Sequence, residues 1–280
     1  MSDATRVAII GLGAIGGSAA LSLKERGADP VGYSPDPDDR DLAAKAGIRI
    51  AGSIADAAKE ADLILIAVPL DHLAGVAAQV VGAAPAQATV LHVAGLQRPD
   101  ATRLEPAVAA RVIGTHPMAG SEMSGFIAAK PGMFLGATVF VEERGDRRMR
   151  EDAELFWSMA GAKRIEYHSA EAHDDLVAAA SHVPQIVATA LAATLNSASI
   201  SRHQLGPGGR DMTRLAASPW SMWQPLLKAT PGRTLAMLES IETELRDIRE
   251  EIANGRVDEA AITWSVARSW SLEEKQDTAQ

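Results

Sequence analysis

The sequence predicts an α/β fold, a doubly wound parallel sheet, followed by an all-helical region. Short apolar runs alternate with helical segments up to about residue 169, and this alternation indicates βαβ units. The run at residues 61–69 is apolar throughout, which is typical of strands buried on both faces of a parallel sheet. From Glu171 onward the strand signal is lost. We therefore predict two domains, residues 1–169 and 170–280.

Composition excludes several classes of function. The chain has 280 residues, a net charge of −9 and no cysteine. Nucleic acids and anionic membranes both attract basic surfaces, so neither is expected as a partner. The absence of cysteine excludes disulfides, thiol nucleophiles and zinc–thiolate sites, and we predict no metal. A small-molecule substrate and a cytoplasmic location are the remaining expectations.

Neither a signal peptide nor a membrane span is expected. Residues 1–6 are polar and pass straight into a strand, which does not match a secretory signal. The longest apolar segment, residues 176–195, is interrupted by Ser181, His182, Pro184 and Gln185. A buried helix explains that segment better than a membrane span does.

The first strand, predicted at residues 7–10, leads into a glycine-rich turn and a helix that extends to about Arg26. Gly11 permits a tight turn, Gly13 allows the backbone to approach a pyrophosphate, and Gly16 allows close packing of helix on strand. The helix N-terminus would face the phosphates. A turn that serves packing alone is the alternative. We predict that this turn binds a dinucleotide through Gly11, Leu12, Gly13, Ala14, Ile15 and Gly16.

The second strand, predicted at residues 30–33, bears on the choice between NAD and NADP. An acidic residue at its end usually binds the ribose 2′-hydroxyl of NAD, and Ser34 occupies that point. A serine would tolerate a 2′-phosphate, but no arginine follows directly and three aspartates lie close by. Asp36 is an alternative ribose ligand, and Arg40 can instead reach a phosphate. The balance favours NAD over NADP.

Three later strand ends complete the predicted ligand-binding edge. Val68 and Pro69 end the run at 61–69, and the strand at 89–93 leads into Gly95, so these residues should lie beside the cofactor. A strand at 112–113 ends just before His116, which we place just past the carboxyl end of the strand. The loop at 120–125 adds polar groups. A lone loop histidine is more often a surface residue than a catalyst.

The rest of the pattern gives strands at 137–142 and 164–167 with a helix at 146–159 between them, and then helices alone. Asp174 and Asp175 are predicted to start a long helix that ends near Ser197, with a kink at Pro184 that frees a carbonyl near Ala180. His182 then faces either the core or the cleft.

Three further helices are predicted near the C-terminus. Residues 208–214 open one that carries Arg210 and Arg214 on one face, for which a solvated charged face is an equal alternative. Amphipathic helices follow at 232–253 and 258–271. In these, Trp264 and Trp270 serve either packing or subunit contact.

With these residues in view, the chain resembles the prephenate/arogenate dehydrogenase family of tyrosine biosynthesis over nearly its whole length. Four motifs occur in the right order: residues 11–18, residues 116–125, His173-Asp174 with residues 181–184, and residues 209–214 with Trp223. The resemblance implies a Rossmann domain followed by an all-helical dimerisation domain, and therefore a homodimer. It also implies NAD or NADP as the cofactor.

The resemblance implies an oxidative decarboxylation, in which a cyclohexadienol gives up hydride and carbon dioxide and becomes aromatic. His116 takes the role of the base and Arg214 that of the carboxylate-binding arginine, while Asp211 and His182 match supporting positions. The implied substrate-binding positions are Ser121, Glu122, Gln185, Gly209, Arg210 and Trp223.

Two departures from the family pattern affect the expected substrate. The family often has Asp-x-Gly-Ser-x-Lys after the fourth strand, and His92, Ala94, Gly95 and Gln97 align with it, so the serine is missing. His92, Ser121 or a water substitutes, or the chemistry has moved. Gln185 replaces the second histidine of Ser-His-x-Pro-His. Arogenate is then at least as consistent as prephenate, and 4-amino-4-deoxyprephenate is a further candidate.

Two other classes of function remain as alternatives. A β-hydroxyacid dehydrogenase or imine reductase would share the architecture, but the former normally carries a catalytic lysine on the long interdomain helix, and residues 165–201 contain neither lysine nor arginine. A non-catalytic dinucleotide-binding sensor would fit the missing serine. It would have no need of His116, Asp211 and Arg214 together.

Overall fold

The computed structural model describes residues 5–121, 123–144, 146–229 and 231–277. One eight-stranded sheet runs in the order β3-β2-β1-β4-β5-β6-β7-β8. Every neighbouring pair is parallel except β6 and β7, which are antiparallel. The strands are β1 (Val7–Ile10), β2 (Val31–Tyr33), β3 (Arg49–Ile50), β4 (Leu63–Ile66), β5 (Thr89–His92), β6 (Val112–Pro117), β7 (Thr138–Glu142) and β8 (Arg164–His168).

Helices cover both faces of this sheet, which confirms the doubly wound prediction. Val7 and Ile9 of β1 point into one core, and Ala8 and Ile10 point into the other, as the two-residue period of a strand requires. The helices of this part are α1 (Ala14–Glu25), α2 (Pro37–Lys45), α3 (Ile54–Ala58), α4 (Leu70–Ala83), α5 (Pro99–Thr102), α6 (Pro106–Ala109) and α7 (Arg147–Ala160).

In the described chain only helices and helical turns follow β8, as the sequence predicted. They are α8 (Ala170–Val177), α9 (Val183–Ser197), α10 (Pro207–Thr213), α11 (Trp220–Ala229), α12 (Pro231–Ala253) and α13 (Ala261–Asp277). Contacts between Cα atoms divide the chain into two compact units, one ending at Pro231 and one beginning at Gly232. The predicted domain boundary between residues 169 and 170 stays a prediction.

The strand that carries His116 differs from the sequence prediction. We expected it to end near Ile113, but β6 continues to Pro117. The reason is a second partner: Thr115, His116 and Pro117 pair with Val141, Phe140 and Val139 of antiparallel β7. His116 is therefore the fifth residue of a six-residue strand, not a loop residue, and its backbone is fixed by the sheet.

The start of the long helix also differs from the prediction. Ser169, not Asp174, caps α8 by accepting a hydrogen bond from the Ala172 N–H at 3.2 Å. Asp174 lies one turn further on and is fully buried, whereas Asp175 is exposed. The sequence showed the pair of acids but not that one of them turns inward to bind a loop of the sheet domain.

Pro184 does interrupt the helix, as predicted. It cannot donate a backbone hydrogen bond, and residues Ala178–His182 form a π-helical turn between α8 and α9. The joined segment Ala170–Ser197 is the one helical segment of the described chain that is long and apolar enough to span a membrane, with a mean hydropathy of 1.5. One third of its apolar stretch is buried inside the protein, and the segment carries the fully buried His173 and Asp174.

Candidate active site

The glycine loop between β1 and α1 has the geometry that a dinucleotide requires. Gly11 has φ +97°, and a Cβ there would collide with the Ala67 carbonyl group. A Cβ on Gly16 would collide with the Gly11 carbonyl oxygen, whereas Gly13 has open space beside it. Gly13 precedes α1 and no side chain caps the helix, so the N–H groups of the first turn are left for an anion. The loop fits a pyrophosphate.

The end of β2 is occupied by interactions within the protein. Ser34 is buried, and its hydroxyl lies 3.4 Å from Asp39 Oδ2. Asp36 is exposed and caps α2 by accepting the Asp38 N–H at 2.8 Å. Arg40 donates to the carbonyl oxygens of Ser34 and Pro35 at 2.8 and 2.9 Å. Of the three predicted ligands, Asp36 presents its carboxylate to solvent, and Arg40 is held on the backbone.

Two other loops follow strands at the same edge of the sheet. Val68 and Pro69 follow β4, and Pro69 is the residue before α4. Gly95 follows β5, and a Cβ there would lie 3.3 Å from a methyl carbon of Leu226 in α11. An apolar side chain therefore covers the position at which the family carries a serine.

A chain of three side chains leads from His116 into the protein interior. His116 Nδ1 lies 3.0 Å from His173 Nε2, and His173 Nδ1 lies 2.8 Å from Asp174 Oδ1. Asp174 also accepts the backbone N–H groups of Gln97 and Arg98 at 2.8 and 3.0 Å and the Arg98 Nε at 3.3 Å. His173 and Asp174 have no exposed surface, and His116 is partly buried. These hydrogen bonds between His116, His173 and Asp174 connect β6 to α8 and to the loop that follows Gly95.

Three histidines of the site, His116 itself and the neighbouring His92 and His182, are held neutral. Burial, reinforced by His173 and His182, lowers the pKa of His116 to about 3. Burial, reinforced by Arg144 and His173, lowers the pKa of His92 to about 3. Burial lowers the pKa of His182 to about 4, although Asp174 opposes the shift. Each ring is therefore uncharged at neutral pH and has one nitrogen that carries a lone pair. Such a nitrogen suits a group that must take up a proton, although in His92 it already accepts the Ala94 N–H.

We expect acid to destabilise the fold through these rings. Below an unfolded pKa of about 6.5 the unfolded chain takes up protons that the folded chain does not, so stability falls as pH decreases toward the folded pKa. Between pH 7 and pH 5 this costs about 2 kcal/mol per buried ring. His92→Asn keeps an acceptor for the Ala94 N–H, which bonds His92 Nδ1 at 3.2 Å. In denaturant titrations, that variant should lose about 2 kcal/mol less between these pH values than the wild type does.

The matched control for this prediction is His72→Asn, because the side chain of His72 is 69% exposed. That variant should show the same loss of stability between pH 7 and pH 5 as the wild type. An equal loss in His92→Asn and the wild type would contradict the neutral assignment of His92.

His182 lies at the end of the π-helical turn and is 1% exposed. The sequence left open whether it faces the core or the cleft. The ring packs edge-on against Trp223 of α11, with centroids 5.8 Å apart, and its charge would act on His116. The structure thus brings three predicted residues, His116, His182 and Trp223, into one neighbourhood. Turns of π-helix are frequently found at functional sites.

Gln185 lies three residues after His182, which ends the π-helical turn, and is buried. Its Nε2 donates to the Leu215 carbonyl oxygen at 2.9 Å and lies 3.3 Å from Thr189 Oγ1. Within the described chain its Oε1 is buried without a hydrogen-bond partner. Gln185 therefore offers an acceptor oxygen beside the turn that carries Arg214.

The remaining predicted substrate residues lie on the surface around α10. Arg210, Asp211 and Arg214 are exposed, and Gly209 is partly buried against Leu205. Arg210 and Asp211 belong to α10, and Arg214 begins the 3-10 turn Arg214–Ala217 that follows it. Their predicted roles stay predictions.

The loop after β6 is only partly described. Ser121 is partly buried, and its hydroxyl accepts the Met123 N–H at 3.1 Å. Glu122, predicted to contact the substrate, lies outside the described residues.

Sequence reasoning recognised His173 and Asp174 as part of a family motif but gave them no role. Arg98, which closes the chain of contacts on Asp174, was missed entirely. The available signal was weak: an adjacent His-Asp pair near the start of a long and mostly apolar helical segment is unusual because buried charges are normally paired.

The described residues include a further cavity but no group of side chains that could hold a metal. Among the described residues, no group of three or more histidine, aspartate or glutamate side chains could hold a metal ion. A cavity of about 860 Å³ lies at the other edge of the sheet, at the amino ends of the strands. Four of its charged side chains pair with one another, as Arg49–Asp29 and Lys59–Asp56.

Comparison with known proteins places the chain in a family. A family model described as "Prephenate dehydrogenase, nucleotide-binding domain" matches residues 19–166, and one described as "Prephenate dehydrogenase, dimerization domain" matches residues 169–263. The cyclohexadienyl dehydrogenase of Zymomonas mobilis is 30% identical over 261 residues, which are 89% of this chain and 88% of that protein. The prephenate dehydrogenase of Lactococcus lactis is 30% identical over 88% of this chain and 71% of its own length.

A solved structure agrees with these matches. Prephenate dehydrogenase from Aquifex aeolicus, in complex with hydroxyphenyl propionate and NAD+, is 26% identical with a TM-score of 0.85 and covers 97% of this chain and 98% of its own. The family matches, the glycine loop and the histidine at the end of β6 agree with one another. The chain belongs to the prephenate dehydrogenase family of nicotinamide-dependent oxidoreductases.

Proposed function

We propose that this protein catalyses the oxidative decarboxylation of arogenate, prephenate or both, in tyrosine biosynthesis. The observation that carries the proposal is the position of His116. Its ring is neutral, is fixed by a strand on one side and by His173 on the other, and lies at the sheet edge that carries the glycine loop. The relatives named as prephenate and cyclohexadienyl dehydrogenases support the choice of reaction.

His116 would accept the proton of the ring hydroxyl through Nε2, because Nδ1 is engaged with His173. A dinucleotide held by the glycine loop would supply the hydride acceptor for the carbon that bears that hydroxyl. Oxidation at this carbon makes the ring carboxylate a good leaving group, so carbon dioxide is lost and the ring becomes aromatic. The protein's task is to hold the hydroxyl at the imidazole and to bind the carboxylates.

Arg214 is proposed to bind a carboxylate of the substrate. A guanidinium donates two parallel hydrogen bonds to a carboxylate, and Arg214 is adjacent to Leu215, whose carbonyl holds Gln185. Asp211 and His182 are proposed to support the site. Ser121, Glu122, Gly209, Arg210 and Trp223 are proposed to line it.

Gln185 favours arogenate as the substrate. Its Nε2 is already used, so the polar atom that remains is the buried carbonyl Oε1. An acceptor oxygen matches the ammonium group on the arogenate side chain, whereas the keto group of prephenate would face it as a second acceptor. We expect a higher kcat/KM for arogenate than for prephenate, and Gln185→His should shift the ratio toward prephenate.

The reaction itself is tested by its stoichiometry. Purified protein, NAD and arogenate should give reduced nicotinamide, carbon dioxide and tyrosine in a 1:1:1 ratio. Reduced nicotinamide without carbon dioxide would indicate a simple alcohol dehydrogenase and would contradict the proposal.

We propose NAD as the preferred cofactor. The end of β2 presents the Asp36 carboxylate, with Asp38 and Asp39 nearby, and Arg40 is engaged with backbone carbonyls. These carboxylates would repel the 2′-phosphate of NADP. Asp36→Ser removes one charge but keeps a residue that caps a helix well. We expect the ratio of kcat/KM for NAD to that for NADP to fall roughly tenfold in this variant.

The matched control for the cofactor prediction is Asp38→Ser. It removes an equal charge from the first turn of the same helix but leaves Asp36 in place. An unchanged cofactor ratio in Asp36→Ser would mean that Asp36 does not lie at the ribose.

We also propose the domain division 1–169 and 170–280, which the two family-model ranges support. The second part is proposed to form a homodimer. Ile262, Trp264, Val266 and Trp270 of α13 are 62–73% exposed, which is a large apolar surface for a monomer. Light scattering coupled to gel filtration should give twice the 29.4 kDa mass of the chain. A cytoplasmic location stays a prediction.

A further inference from the structure

We propose that His173 and Asp174 are positioning residues that fix the tautomer of His116. In this assignment the Nδ1 of His116 carries the proton and the Nε2 carries the lone pair. The contacts of the described residues support it without reference to activity, and its importance for turnover rests on the function proposed above.

Asp174 is surrounded by hydrogen-bond donors. Its oxygens receive two backbone N–H groups, from Gln97 and Arg98, and the Arg98 Nε. Four donors, counting His173, surround the carboxylate, so the charged form is the one that its surroundings satisfy. An ionised carboxylate has no proton to give. His173 Nδ1, 2.8 Å from Asp174 Oδ1, must therefore be the donor of that pair.

The other nitrogen of His173, Nε2, faces His116. The ring has no exposed surface and packs against Phe140 with centroids 5.7 Å apart. Arg98, 3.3 Å from Asp174 and 3.7 Å from exposed Asp175, already supplies a cation to the buried carboxylate. A second cation on the fully buried His173 ring would have to lose all its hydration. A neutral His173 with its proton on Nδ1 has a lone pair on Nε2. His116 Nδ1, 3.0 Å away, then donates to that lone pair.

This assignment leaves His116 Nε2 as the proton acceptor. Which ring nitrogen of a histidine carries the proton is set by the hydrogen bond that the other nitrogen makes. Without His173, nothing among the contacts described would favour the Nδ1–H form of His116. The missing serine makes this support more important, since Gly95 offers no hydroxyl and is covered by Leu226. The ring of His116 is instead oriented by His173 of α8.

The tautomer can be measured directly on the wild-type protein. Histidine labelled with ¹⁵N and observed in long-range ¹H–¹⁵N correlation spectra distinguishes a protonated ring nitrogen from an unprotonated one. The seven histidines are assigned by single substitution, and His116→Asn removes the signal of interest. We expect His116 and His173 both to show protonated Nδ1 and unprotonated Nε2. A protonated Nε2 on His116 at neutral pH would overturn the proposal.

Substitution separates positioning from packing. His173→Leu fills a similar space but cannot accept a hydrogen bond, so His116 should change to the Nε2–H form and kcat should fall about 10²-fold. His173→Gln offers an acceptor oxygen and should restore the Nδ1–H form and kcat to within about tenfold of the wild type. His168→Leu is the matched control, because that ring also packs on Phe140, with centroids 5.0 Å apart, but makes no contact in the chain of His116, His173 and Asp174.

The outcomes distinguish this inference from the proposed function. Turnover by the wild type with a protonated His116 Nε2 would refute the positioning role and leave the reaction intact. The expected tautomer without any turnover would support the positioning geometry and refute the reaction. Equal losses of kcat in His173→Leu and His173→Gln, with no change of tautomer in either, would show a purely structural role.

Discussion

His116→Asn is expected to lower kcat at least about 10³-fold, because an asparagine amide cannot accept the proton of the ring hydroxyl. The variant should otherwise be well folded. His116 lies in β6, where the backbone pairs hold it against Phe140 of β7, and asparagine keeps a donor for His173. Dinucleotide affinity, measured by calorimetric titration, should remain within about twofold of the wild type, since the glycine loop is untouched.

The control for this prediction is His203→Asn, because His203 is exposed on the 3-10 turn Arg202–Gln204 and has no assigned role. It should retain wild-type kcat. Retained turnover in His116→Asn would rule out His116 as the base and would direct attention to His92 or His182.

Arg214→Ala is expected to raise the KM for the substrate about 10²-fold, with kcat within a few-fold of the wild type. Hydrogen bonds to charged groups contribute about 1.5–3 kcal/mol, and the bidentate pair is present in the ground state and the transition state alike, so its loss appears in KM. Arg214→Lys should recover only part of the loss, because an ammonium cannot form the planar fork. Initial-rate kinetics at saturating dinucleotide measure both constants.

Arg210→Ala is the matched comparison, since Arg210 is also exposed and lies one helical turn away. Its effect on KM should be much smaller. The reverse result, with a large effect at Arg210 and none at Arg214, would move the carboxylate site to Arg210.

Local patterns in the sequence were sufficient for the dinucleotide-binding edge. The strand, the glycine turn and the helix are contiguous between Val7 and Glu25, and the role of each glycine follows from its spacing. The short β3, Arg49–Ile50, was missed because two residues are too few for any periodicity.

The sequence pointed to His116 as the candidate base, but it did not show the setting of this residue. Placing His116 inside β6 requires the pairing with β7, whose strand lies more than 20 residues further along the chain. No pattern within residues 112–117 reports such a partner, because strand register is decided by tertiary contacts.

The burial of Asp174 also could not be predicted from the neighbouring sequence. Its partners Gln97 and Arg98 are 77 and 76 residues away, and the same acid would be an ordinary helix residue if it faced solvent. Gln185 is a similar case. The sequence showed an uncharged amide, but only the contact with Leu215 shows which of its two polar atoms remains available.

The most direct test of the central claim is the initial rate of nicotinamide reduction, with arogenate and prephenate each crossed with NAD and NADP. We predict turnover, with the highest kcat/KM for arogenate and NAD. Absence of turnover in all four combinations, while calorimetry confirms that the protein binds the dinucleotide, would contradict the account. The differences at Gly95 and Gln185 would then define another substrate or a non-catalytic role.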